Sequence, residues 1–211
     1  MIKLLTANTP HGQRAALILE ECGLDYQVKT LDLMRGDQRL PAFLKLNPRG
    51  QIPVVVDEEG TSGRLVLAQS SAILLHYAMS RRVLWPEDPQ EQALALQWVM
   101  QATSDMSSVA GALYALRHFV PERSESTIDY FVDRLEPHLT YVEGRLAEVP
   151  YLAGPLSVAD LALYPVVVNL SATIEELGEF PSMRAWAERL AARPAVERGM
   201  TAHERGVSVA P

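Results

Sequence analysis

The chain has 211 residues, 48% of them apolar and 21% charged, which is enough material for two small soluble domains with real cores. Its formal net charge of -7 excludes a broad phosphate-binding face, since that needs clustered Lys and Arg, and leaves room only for a local basic pocket. The single cysteine, Cys22, excludes an internal disulfide; no apolar run is long enough to span a bilayer, and the interrupted start MIKLLTANTPHGQ is not expected to be a secretory signal. The expectation is therefore a cytoplasmic protein in a reducing compartment, with neither nucleic acid nor membrane as partner.

Residues 2–5 form a short β-prone apolar run, followed by the turn cluster Asn8-Thr9-Pro10-His11-Gly12. Residues 13–22 then predict a helix around Ala15 to Leu19, with Gly23 placed to end it. Tyr26, Val28 and Thr30 alternate as a strand does, which completes a parallel β-turn-α-loop-β unit. Residues 41–46 predict a short irregular helix, and Asn47-Pro48-Arg49-Gly50 a turn. Strands follow over 52–57 and 64–68, joined through Gly60 and Gly63, and a helix over 69–80. The order βαβ, α, ββα is that of a thioredoxin-like domain, placed at residues 1–81.

The character changes after residue 80: Trp85-Pro86-Glu87-Asp88-Pro89, with two prolines, reads as a linker, placed at 82–88. Residues 89–211 predict an all-helical domain, with helices over 90–118, 124–149, 157–177 and 181–193 and a patternless tail from Thr201 to Pro211. Ser157 and Asp160 are spaced as a capping box with Asp in the acidic position. The fold class expected is an α/β thioredoxin-like N-terminal domain plus an all-α C-terminal helical domain.

Three constellations carry chemistry. Pro53 cannot donate a ladder hydrogen bond, so it either starts an edge strand in trans, or sits behind a cis bond that turns the Ile52 backbone outward to pair with an extended peptide. Gln69 and Ser70 open a helix directly after a strand, which suits either a plain cap or a carboxylate site. Thr9 and His11 stand at the start of the first helix, where free N–H groups and the helix dipole favour a thiolate; Thr9 as a cap with Pro10 at the first helical position fits equally. Cys22, at the far end of that helix among apolar residues, reads as a small core residue. His76, His118, His138 and His203 show no metal-ligand spacing with each other or with Cys22, so no metal is expected, and phosphate-loop, dinucleotide and hydrolase-elbow motifs are missing.

In this order and spacing, TPHGQRAALILEECGLDYQ, FLKLNPRGQIPVVVD, LAQSSAILLHYA and YLAGPLSVADLALYP resemble the cytosolic glutathione transferase superfamily, in particular bacterial Nu-class-like members with a TPNG-type start. The resemblance implies glutathione as co-substrate, with its cysteinyl backbone paired to Ile52 beside a cis Pro53. It implies that the γ-glutamyl carboxylate sits on Gln69 and Ser70, that Gln38 reaches the glutathione backbone, and that Thr9 and the position of His11 line the sulfur site. His11 departs from the family's Asn there. No Tyr, Ser or Cys stands where other classes keep their catalytic group, so Thr9, His11 and backbone N–H groups are left to stabilise the thiolate. By analogy, Asp105 reaches the γ-glutamyl amino group of a neighbouring subunit in a homodimer, and Arg134 reaches in from the helical domain. Met106, Tyr114 and His118 would wall a second pocket for a small electrophile or a disulfide. The implied activity is conjugation of glutathione to electrophiles, reduction of disulfides with glutathione, or both; a non-catalytic binding protein on the same fold is the alternative.

Overall fold

The computed structural model describes residues 1–60 and 62–208. They form two compact units, one of Met1–Trp85 with the chain from Ala191 onward, the other of Pro86–Leu190.

In the first unit, strand β1 (Ile2–Thr6) leads into helix α1 (Pro10–Glu21) and then strand β2 (Tyr26–Thr30), which pairs parallel to β1 with Ile2 opposite Tyr26. Helix α1 starts three residues earlier than its apolar run suggests, because Pro10 has the φ that a first helical residue needs and lacks an N–H that would be orphaned there. It ends in a Schellman arrangement: Gly23 takes φ 61°, its N–H reaches the Glu20 carbonyl and that of Leu24 reaches Leu19, both at 3.0 Å. A 3₁₀ turn (Asp37–Arg39) precedes the one-turn helix α2 (Pro41–Leu44). Strand β3 (Val54–Asp57) runs antiparallel to β1, and β4 (Leu65–Ala68) antiparallel to β3; β3 begins after Pro53 rather than at Ile52. Helix α3 (Ser70–Arg81) follows β4 directly. Leu4, Ala15, Leu17, Ile18, Val54, Val55, Ile73 and Leu74 are buried in the core between sheet and helices.

The second unit is helical. Helix α4 (Pro89–Met100) is capped by Asp88, whose Oδ1 accepts from the N–H groups of Gln90 and Glu91. The single helix expected over 90–118 is instead α4 and α5 (Ser107–His118) joined through a π-helical stretch, Gln101–Met106. Hydroxyls compete with the backbone ladder there: Thr103 donates to the Val99 carbonyl at 2.8 Å, Ser104 to Met100 at 2.7 Å and Ser107 to Ala102 at 2.7 Å. Helix α6 (Glu125–Glu148) precedes α7 (Val158–Asn169) and α8 (Ser171–Leu177). The expected helix over 157–177 breaks at Leu170, where the Asn169 side chain donates to the Pro165 carbonyl. Ser157 and Asp160 do form the capping box, and Asp160, fully buried, also accepts from the Leu152 N–H and from Trp186 Nε1 on α9 (Pro181–Ala191).

The chain then returns to the first unit. Helix α10 (Pro194–Met200) packs on α1, so closely that a Cβ on Gly199 would lie 2.9 Å from Leu17 Cα. A 3₁₀ turn (Ala202–Arg205) and strand β5 (Val207–Ser208) follow, and β5 pairs parallel to β2. The sheet order is β4-β3-β1-β2-β5. Residues 201–208, expected to be patternless, are held by charge: Glu20 on α1 accepts from Arg198, Arg205 and the Tyr26 hydroxyl, which keeps its carboxyl below the usual range against the opposing effect of burial. The rest of that tail, 209–211, lies outside the described residues. Thus residues 191–208, placed with the helical half from their sequence, belong to the thioredoxin-like unit.

Candidate active site

Seven of the nine residues expected at the glutathione site line one cavity of about 360 Å³ in the first unit: Thr9, His11, Gln38, Ile52, Pro53, Gln69 and Ser70. They come from four separate stretches of chain, brought together at the ends of β1 and β4 and at the loop before β3.

Thr9 is the N-cap of α1. Its backbone is extended and its Oγ1 accepts from the Gly12 N–H at 3.1 Å. Gly12 is required at that place, since a Cβ would collide with the Ala7 carbonyl and Thr6 Oγ1. The peptide between Ile52 and Pro53 is cis. Gln38 donates through Nε2 to the Leu33 carbonyl at 3.3 Å, while its Oε1 is a buried acceptor with no hydrogen-bond donor among the described residues. That acceptor fits a ligand carrying peptide N–H groups.

Gln69 caps α3 without a side-chain hydrogen bond and holds φ 74°, ψ 115°. A non-glycine residue in that region stores about 1–3 kcal/mol, the kind of strain that collects at binding sites. Its side chain is exposed, and Ser70, the first helical residue, is buried. Ser70 Oγ accepts from Arg14 Nη1 at 2.9 Å, and the same nitrogen lies 3.2 Å from His11 Nδ1. Arg14 is fully buried, and burial brings its pKa down to about 10, still cationic at neutral pH. His11 keeps an exposed edge, yet the desolvation of its ring and, secondarily, the Arg14 charge lower its pKa to about 4.

Arg14 was not singled out in the sequence. Its one signal is a charge directly ahead of the apolar run Ala15 to Leu19, which reads equally as a solvent-facing helix position. Asp105 and Arg134 belong to the second unit: Asp105 is exposed on the π-helical stretch and accepts from the Ser104 hydroxyl at 3.0 Å, and Arg134 lies exposed over the Tyr130 ring. Cys22 sits half-buried at the end of α1, where burial first of all pushes its thiol up to about 11, so it stays protonated at neutral pH. Among the described residues no group of three or more His, Cys, Asp or Glu side chains is arranged to hold a metal ion, and no helix is long and apolar enough to cross a membrane.

A thioredoxin-like sheet with this cavity, followed by an all-helical unit, defines the glutathione transferase architecture. The chain belongs to the glutathione S-transferase family: the N-terminal domain model of that family matches residues 9–78 and the C-terminal domain model residues 92–189. It is 32% identical to the disulfide-bond oxidoreductase YfcG of Escherichia coli strain K12, over 98% of this chain and 97% of that one. It is 34% identical to glutathione S-transferase 4 of Zea mays, over 91% and 88% of the two chains. A glutathione transferase of Burkholderia graminis, crystallised with two glutathione molecules bound per protein subunit, superposes with a TM-score of 0.90 at 32% identity, covering 97% of this chain and 89% of that one.

Proposed function

We propose that the chain is a cytoplasmic, Nu-class-like glutathione-dependent enzyme. It transfers the glutathione thiolate to small electrophiles or reduces disulfides with it. The observation that carries this reading is the convergence in one cavity of a capping hydroxyl (Thr9), a buried unpaired acceptor (Gln38), the backbone of Ile52 next to Pro53, and the start of α3 at Gln69 and Ser70. A helix start supplies free N–H groups and partial positive charge, which suits the γ-glutamyl carboxylate. Thr9 donates to the sulfur, and His11 lies beside it. The thioredoxin-like residues 1–81 hold glutathione, and the helical residues 89–190 offer the exposed Tyr114 and His118 to the second substrate, whereas Met106, expected beside them, is fully buried among the helices. Asp105 serves the γ-glutamyl amino group across a homodimer, and Arg134 serves the same site. Exposed Leu96 and Met100, one turn apart on the same side of α4, support a dimer face on the second unit.

No cysteine lines the cavity, so disulfide reduction runs through glutathione alone. The glutathione thiolate attacks one sulfur of the substrate disulfide, forms a mixed disulfide and expels the other sulfur as thiolate. A second glutathione thiolate attacks the mixed disulfide, which gives glutathione disulfide and the second substrate thiolate. The likeness to YfcG and to a relative with two glutathiones per subunit supports this branch.

Retention on immobilised glutathione, followed by assays with a generic electrophile and with a mixed disulfide, tests the reading. Thr9→Ala is expected to raise the thiol pKa of bound glutathione by about 1–2 units, the equivalent of losing a hydrogen bond of about 1.5–3 kcal/mol to a charged group. An unchanged thiol pKa removes Thr9 from that role, and failure to bind glutathione removes the function.

A further inference from the structure

We infer that Arg14 is a positioning residue: by donating from one nitrogen to Ser70 Oγ and to His11 Nδ1, it fixes His11 as the neutral tautomer with its hydrogen on Nε2. The cavity therefore meets its ligand with an imidazole N–H donor, not with an imidazolium or a proton acceptor. The inference rests on the glutathione reading only for the identity of the anion that this donor serves.

A guanidinium has donors and no acceptor, and its terminal nitrogen carries two hydrogens. Arg14 Nη1 lies 2.9 Å from Ser70 Oγ and 3.2 Å from His11 Nδ1, so one hydrogen goes to each. Nδ1 must then present a lone pair, because a hydrogen on Nδ1 would face the Arg14 hydrogen. Arg14 comes from the helix of His11 itself, three residues on and so on the same face, and Ser70 comes from α3, with its Oγ 3.5 Å from Nδ1. The cation is fully buried, which strengthens its preference for the uncharged ring. The low His11 pKa agrees with this.

Two consequences follow for the chemistry. His11 cannot take the proton from a bound thiol, since Nδ1 is engaged and Nε2 is already protonated. Its donor strength also stays constant across neutral pH, so it stabilises an anionic sulfur or carboxylate without titrating. Ser70 Oγ gives a lone pair to Arg14 and lies 3.5 Å from His11 Nδ1, so its hydroxyl hydrogen can turn either to that nitrogen or to a bound carboxylate.

The test reads the His11 ring nitrogens by long-range ¹H–¹⁵N NMR in the ligand-free protein at pH 7, with the signals assigned by their loss in His11→Gln. The expected result is an unprotonated Nδ1 and a protonated Nε2, with a titration midpoint far below that of a free histidine. In Arg14→Met the midpoint is expected to rise and the two tautomers to mix; Arg14→Lys, which keeps a donor and the charge, restores the wild-type pattern in part. A hydrogen on Nδ1 or an imidazolium in the wild type at pH 7 would overturn the inference, as would a folded Arg14→Met protein with an unchanged ring. If Arg14→Met does not fold, the wild-type spectrum alone decides. Failure of the glutathione reading is seen separately, as ring signals that do not move when millimolar glutathione is added.

Discussion

A threonine hydroxyl has one hydrogen and two lone pairs, and Thr9 has committed a lone pair to the Gly12 N–H. The cap and the sulfur donor are thus compatible roles of one atom. His11 makes a different contribution, one that titrates. Its pKa of about 4 lies below the ordinary value of about 6.5 that it regains on unfolding. Between those values the unfolded chain binds more protons, so stability rises with pH there and is lost as pH falls from about 6.5 towards about 4. Thermal unfolding of His11→Asn is expected to depend less steeply on pH over that window than wild type; equal slopes would mean that the ring is not desolvated. At this scale the cavity was largely legible from sequence. Thr9, Ile52, Gln69 and Ser70 stand at junctions marked by Pro, Gly or a change of period. Arg14 was not, because a charge beside an apolar helical run does not say which way it points.

Helix α1 explains how those junctions are held in place. It is buried from Gly12 to Leu19, with α3 and α10 packed against it and Thr9 at its exposed start. The contact with α10 allows no extra atom at Gly199, next to the Leu17 backbone. Gly199→Ala is therefore expected to cost about 1–3 kcal/mol by overpacking, a drop of several degrees in melting temperature for a chain of this size. An unchanged melting temperature would mean that α10 does not press on α1 as described. Sequence periodicity found the long elements but not their interruptions. The π-helical stretch and the break at Leu170 depend on side-chain hydrogen bonds to the helix backbone, made by Thr103, Ser104, Ser107 and Asn169, and such bonds leave the apolar spacing intact. The small strand β5 was missed for a related reason: two residues have no period, and their place is set by Glu20, whose bond to Arg205 just before the strand spans 185 residues.

For the whole molecule, the two units divide the work that the family implies. The first carries the cavity lined by Thr9, His11, Gln38, Ile52, Pro53, Gln69 and Ser70, and its C-terminal segment, with α10, buttresses the helix that presents Thr9 and His11. The second carries Asp105, Arg134 and the aromatic residues proposed to meet the other substrate. In the proposed complex the start of α3 grips the γ-glutamyl carboxylate while the Ile52 edge takes the cysteinyl backbone. Calorimetric titration of glutathione against cysteinylglycine, which lacks only the γ-glutamyl group, tests it most directly. Losing charge-assisted bonds of about 1.5–3 kcal/mol predicts cysteinylglycine to bind roughly 10- to 150-fold more weakly than glutathione; equal affinity for the two, or no heat with either, would contradict the account.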